Sequence, residues 1–128
     1  MDRKKLIFAV DDDPLILTIV KKELETEERE VRTFQYGEQC LNALRDNPDL
    51  IVLDYFFQNK ENSKVLNGKE IFSKIQEHDN PPPVIMLSGQ EDGDVVLELA
   101  RMGINDYVIK DQSLSENLRE VVNEIFEK

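Results

Sequence analysis

Five short, β-rich apolar runs alternate with stretches of helical period, and no other feature constrains this chain so strongly. The runs are Leu6-Ile7-Phe8-Ala9-Val10, Val31 to Phe34, Leu50-Ile51-Val52-Leu53, Val84-Ile85-Met86-Leu87 and Tyr107-Val108-Ile109. The first, third and fourth are continuously apolar, as strands covered on both faces must be. Val31-Arg32-Thr33-Phe34 is mixed, which suits an edge strand.

The intervening stretches read as helices. Leu15, Ile16, Ile19, Val20 and Leu24 recur at helical spacing behind Asp13-Pro14, an N-cap followed by proline at a first helical position. Cys40, Leu41 and Leu44 mark a second, short helix, and Ile71, Phe72 and Ile75 a third. Val95, Val96, Leu99 and Met102 mark a fourth, stopped by Gly103 as a left-handed C-cap. The last opens on Ser113 with Glu116 three residues on, a capping box, and repeats apolar residues at 118, 121, 122, 125 and 126.

Strands that alternate with helices imply an α/β protein: a parallel sheet with helices on both faces. Right-handed crossovers and five strands make 2-1-3-4-5 the leading strand order, a flavodoxin-like three-layer sandwich. A chain of 128 residues without internal repeat or linker is expected to be one domain, 1–128. Two connections stand apart. Residues 55–67 hold the polar stretch Gln58 to Lys64, which looks mobile, and Asn80-Pro81-Pro82-Pro83 is a stiff spacer that sets strand register.

Composition narrows the function classes. Twenty-seven acidic and 16 basic residues give a formal net charge of −11, which repels phosphate backbones and anionic lipid. No nucleic-acid or membrane partner is expected for this domain. The single cysteine, Cys40, excludes an internal disulfide framework and a multi-cysteine metal site, and reads as a small buried hydrophobe. The apolar stretch after Lys5 is too short for a signal peptide, and no run is long enough to span a bilayer. A reduced, cytoplasmic setting is the expectation.

Ligands of an open parallel sheet bind beyond the carboxyl ends of its strands, where strand order reverses. Asp11 and Asp12 follow the first run, Asp54 ends the third, Ser88 the fourth and Lys110 the fifth. Three carboxylates, one hydroxyl and one ammonium thus converge on one rim. Carboxylates so placed raise one another's pKa, and a hard divalent cation resolves the conflict; oxygen-only ligands favour Mg2+ over zinc or copper. Mg2+ also accepts phosphate oxygens, Lys110 and Ser88 can hold the outer oxygens of a phosphoryl group, and an aspartate at the centre can act as nucleophile. The site reads as phosphoryl transfer onto Asp54. Asp13 reads as a helix cap, His78 as a partner for a helix C-terminus, and Glu23 to Glu28 as a solvated helix face.

Val10-Asp11-Asp12-Asp13-Pro14, Ile51-Val52-Leu53-Asp54, Val84 to Gly89 and Gly103 to Lys110 resemble, in order and over nearly the whole chain, the receiver domain of bacterial two-component response regulators. That resemblance implies that Asp54 is the phosphoacceptor, that Asp12 binds Mg2+ directly and Asp11 largely through water, and that Phe56 lends its carbonyl to the metal. It implies that Ser88 and Lys110 match the family's Thr/Ser and lysine. Tyr107 matches the aromatic that switches rotamer and couples phosphorylation to the surface around the fourth helix, fifth strand and fifth helix. The implied partners are a histidine kinase or histidine phosphotransfer protein, and either a downstream protein target or a fused output domain. The chain is expected either to act by protein contact alone or to be the receiver of a larger regulator.

Two departures accompany the resemblance. The family's Lys-Pro, with its cis peptide, is replaced by Lys110-Asp111; a cis bond before a non-proline residue costs about 2.5–4 kcal/mol, so a trans bond is expected and the reach of Lys110 becomes a question. Gly68 comes 14 residues after Asp54 where the family has about eight, an insertion of about six residues at the lip of the site or a neutral surface loop. These departures leave a phosphorylation-independent, receiver-like interaction module as one alternative. A haloacid-dehalogenase-type phosphohydrolase is another, with Asp11-Asp12-Asp13 read as Asp-x-Asp and Ser88 and Lys110 as later motifs. That family requires a further acidic pair and generally a longer chain, and only Asp111 follows Lys110 nearby.

Overall fold

The computed structural model describes residues 3–55, 67–89 and 93–127. Strands β1 (Lys5–Val10), β2 (Arg29–Phe34), β3 (Leu50–Asp54), β4 (Val84–Ser88) and β5 (Asp106–Ile109) form one parallel sheet in the order β2-β1-β3-β4-β5. Helices α1 (Pro14–Leu24), α2 (Gly37–Asn42), α3 (Gly68–Gln76), α4 (Gly93–Arg101) and α5 (Leu114–Glu127) connect and cover it. The expected class and strand order are those observed.

Alternation within the strands builds two cores from one sheet, because successive side chains point to opposite faces. Ile7, Ala9, Leu50, Val52, Ile85 and Leu87 pack with Leu17, Val20 and Leu24 of α1 and with Leu114, Leu118 and Val122 of α5. Leu6, Phe8, Val10, Ile51, Leu53, Val84 and Met86 pack on the other face with Cys40, Ile71, Phe72, Ile75 and Leu99. Both faces being covered explains the continuous apolar runs. Burial pushes the Cys40 thiol up to about 12, which suits a residue that serves only as packing.

The helix ends follow their local chemistry. Asp13 caps α1 by accepting from the Leu15 N–H (2.9 Å), with Pro14 at the first helical position. Gly103 (φ +97°) ends α4 in a Schellman motif, its N–H donating to Ala100 O and that of Ile104 to Leu99 O, both at 3.1 Å. His78 follows the end of α3, where its N–H donates to Ile75 O (3.2 Å).

Several local expectations need correction. β2 begins at Arg29, two residues before the apolar run, because its pairing Lys5↔Arg29 through Val10↔Phe34 is a backbone ladder that an edge strand can build from polar residues. The second helix closes at Asn42; a 3₁₀ turn over Leu44–Asp46 follows and ends on Asn47 in the left-handed region (φ 58°). Glu23 to Glu28 is not one solvated helix face. Glu23 is half-buried against Arg119 (2.8 Å), and Glu25 lies beyond the helix, accepting from the Val31 N–H (3.1 Å). At α5, the Ser113 N–H donates to Asp111 Oδ1 (2.8 Å), the role a capping box reserves for Glu116. Among the described residues, no helix is long and apolar enough to cross a membrane.

Candidate functional site

Ladder register carries the chemistry to one rim. β1 leaves the sheet at Val10, and the Asp11 N–H donates to Phe34 O (3.1 Å), tying the exit of β1 to the end of β2. Asp54 is the last residue of β3 and pairs with Leu87 of β4; Ser88 ends β4 and pairs with Ile109 of β5. The Lys110 N–H donates to Ser88 O (2.8 Å), so Lys110 leaves the sheet beside Ser88. Asp11 and Asp54 are 1% exposed and Ser88 is buried as well, while Asp12 is half-buried.

The Lys110 ammonium lies 2.8 Å from Asp54 Oδ1 and 2.7 Å from Asp11 Oδ2. Lys110 therefore reaches the acids although no cis peptide bond occurs among the described residues. Asp11 Oδ1 also accepts from the Asp13 N–H (2.9 Å). One carboxylate oxygen from each of Asp11, Asp12 and Asp54 falls within 4.8 Å of the other two. Burial raises the Asp11 carboxyl above the usual carboxylate range; the bonds from Lys110 and the Asp13 N–H oppose this, and neighbouring Asp12 adds to it. Burial pulls the Lys110 ammonium down, but the bonds to Asp11 and Asp54 outweigh it and hold Lys110 above the ordinary lysine value.

One lysine thus faces three carboxylates in a largely water-excluded rim. The donor set is all oxygen, anionic and convergent, which fits a hard divalent cation such as Mg2+. Asp13 stays outside the cluster: it is exposed and its carboxylate caps α1. An Asp-x-Asp reading, which needs Asp13 at the reacting centre, therefore has no support. Tyr107, the second residue of β5, is half-buried and packs against the core on the α2, α3 and α4 face. Phe56, the polar stretch Gln58 to Lys64 and most of the inserted segment lie outside the described residues.

Spacing singled out Gly68 only as a landmark, but the structure gives it a steric role. A Cβ there would lie 2.2 Å from the Asp54 carbonyl oxygen and 2.6 Å from Tyr55 Cα, and the Gly68 N–H donates to Tyr55 O (3.1 Å). Helix α3 starts directly against the backbone that carries Asp54. No sequence pattern signals so close an approach.

The family model for the response regulator receiver domain matches residues 7–123. This chain belongs to that family. It is 32% identical over 105 residues, 81% of its own length and 44% of the relative's, to the transcriptional regulatory protein AfsQ1 of Streptomyces coelicolor. It is 34% identical over 108 residues to the alkaline phosphatase synthesis transcriptional regulatory protein PhoP of Bacillus subtilis, covering 83% of this chain and 42% of PhoP. The chain spans less than half the length of these curated relatives. Among solved structures, the BeF3-activated receiver domain of DrrB, from Thermotoga maritima, superposes with a TM-score of 0.81 at 31% identity, over 98% of this chain and 99% of that one. Receiver domains are signalling modules of two-component systems that bind Mg2+ at an acidic pocket; here Asp11, Asp12 and Asp54 form a cluster that could hold a metal ion.

Proposed function

We propose that this receiver, taken as a single domain over 1–128, accepts a phosphoryl group on Asp54 from the phosphohistidine of a histidine kinase or histidine phosphotransfer protein in the cytoplasm. The observation that carries the reading is the Lys110 ammonium seated between Asp54 and Asp11, with three carboxylates converging within 4.8 Å. Asp11, Asp12, Asp54 and the carbonyl of Phe56 would hold Mg2+, which when bound offsets the charge of the acids and of the phosphoryl oxygens.

In the transfer, an Asp54 carboxylate oxygen attacks phosphorus, a P–O bond forms and the donor's P–N bond breaks. The electron pair of that bond stays on the imidazole nitrogen, which leaves as neutral imidazole after taking up a proton. Lys110 is already on Asp54 Oδ1, so its positive charge stands where phosphoryl charge develops. Ser88 serves as a donor to a phosphoryl oxygen. Occupation of Asp54 then shifts Ser88 and Tyr107 and changes the surface of α4, β5 and α5 that a downstream protein or a fused output domain reads.

Acetyl phosphate with Mg2+ tests the reading by intact mass and amide spectra. The expected result is one added phosphoryl group, a beryllium fluoride complex with matching spectral shifts, and complete loss of both in Asp54→Asn. An Asp54→Asn variant that still gains the adduct would overturn it. So would a wild type that binds Mg2+ but gains none, since that is the behaviour of a phosphorylation-independent module.

A further inference from the structure

Lys110 leaves the sheet followed by Asp111 and not by proline, yet its ammonium sits within 2.8 Å of two acids. A lysine ammonium rides on a flexible four-carbon stem, so where its backbone is fixed helps decide which groups it can reach. Upstream, the Lys110 N–H is held by Ser88 O (2.8 Å). Downstream, the next residue is Asp111, and three hydrogen bonds converge on it. Its N–H donates to Ile109 O (3.0 Å), its Oδ1 accepts from the Ser113 N–H (2.8 Å), and its carbonyl accepts from the Leu114 N–H (3.0 Å). Leu114 is buried and opens α5, so this turn is anchored in the core at its far end. Asp111 itself is exposed, and its effect on the site passes through Lys110.

We infer that Asp111 is a positioning residue for Lys110: its side-chain and main-chain hydrogen bonds lock the β5–α5 turn and so aim the ammonium at Asp54 and Asp11. The inference rests on the phosphoacceptor reading above. What matters in it is the Oδ1 acceptor and not the negative charge, and that difference makes it testable.

The experiment compares wild type, Asp111→Asn and Asp111→Ala, using acetyl phosphate with saturating Mg2+ and an NMR record of the Lys110 side-chain amine. Asp111→Asn keeps an oxygen acceptor and should retain the wild-type phosphorylation rate and an ordered Lys110 amine signal. Asp111→Ala should lose the ordered signal and slow phosphorylation by on the order of tenfold, since misplacement of a charged group by a fraction of an ångström is enough for that. Thermal melts of each variant separate a general loss of structure from a loss of aim. If Asp111→Ala melts lower but phosphorylates at the wild-type rate with its Lys110 signal intact, Asp111 is only a helix cap and the inference is overturned. If Asp111→Asn behaves as Asp111→Ala, the charge is what matters and it is likewise overturned. A wild type that takes no phosphoryl group would instead sink the phosphoacceptor reading.

Discussion

The two ends of the sheet use polar residues in opposite ways. At the amino ends of the strands, polar groups among the described residues meet partners of complementary chemistry. Asp49 accepts from the Leu6 N–H through Oδ2 (2.7 Å) and from Arg3 through Oδ1 (3.0 Å), and Asn105 Oδ1 accepts from the Val84 N–H (3.0 Å). Lys5 and Arg29 lie over the Phe126 ring at 5.6 and 5.1 Å, and Arg29 also donates to Asn123 (3.0 Å). At the carboxyl ends three carboxylates meet one lysine. Polar groups at the first end close the fold, while those at the second leave a charge imbalance that a cation and a phosphoryl group can resolve. Rules of good packing are expected to fail where function sits, and here they fail at one end only.

The largest way to break this contrast is to remove the imbalance. Asp11 has its pKa raised by folding, so the folded state holds a proton on it more readily than the unfolded state does. Stability therefore falls as pH rises from the unfolded value through the folded one, and at neutral pH the ionised carboxylate opposes folding. Asp11→Asn, which keeps an Oδ1 acceptor for the Asp13 N–H, should raise the melting temperature of the metal-free protein at pH 7 and leave it nearly unchanged at pH 3. Wild type should gain about 2.7 kcal/mol at a hundredfold excess of Mg2+ over its Kd, on the order of 10 °C for a chain this size. The variant should lose most of that gain. A lower metal-free melting temperature in Asp11→Asn would mean that its pairing with Lys110 outweighs the desolvation, and the rim would then resemble the opposite end.

Much of this was legible in the sequence, for identifiable reasons. Strands buried on both faces must be apolar throughout, so β1, β3 and β4 announce themselves, and the residue after each apolar run necessarily stands at the carboxyl rim. That is why Asp11, Asp54, Ser88 and Lys110 could be placed together. Where hydrogen bonds rather than burial decide structure, apolar patterning carries no signal. Arg29 and Glu30 belong to β2 because a neighbour supplies a backbone ladder, and Glu25 leaves the helix to satisfy the Val31 N–H. Gly68 and Asp111 act through distances of two or three ångströms to segments remote in the chain or around a turn, and apolar periodicity carries no trace of either.

An effect of intermediate size tests the matched end. Asp49→Ala leaves the part-buried Leu6 N–H without its acceptor and removes the partner of Arg3, which should cost about 1–3 kcal/mol in urea unfolding. Because Asp49 lies at the far end of the sheet, the loss should be the same with and without Mg2+. The phosphorylation rate of the folded fraction should be unchanged. If the cost of Asp49→Ala depended on Mg2+, the two ends would be energetically coupled, contrary to their separate roles.

The smallest effect sharpens what closes the matched end. Phe126 is half-buried against the α1 and α5 core, with a cation near its ring from each of two strand starts. Phe126→Leu retains apolar packing and removes the π face, whereas Arg29→Gln removes the charge and keeps a side chain able to donate to Asn123. A double-mutant cycle on these two changes isolates the ring–guanidinium contact, expected at about 0.5–1 kcal/mol for a solvent-facing pair. A measured coupling in that range makes Phe126 a charge-binding clasp at the end of α5. A coupling of zero means that Arg29 is held by Asn123 alone and that the ring contributes only buried area, in which case Phe126→Leu should cost the same whether or not Arg29 is present.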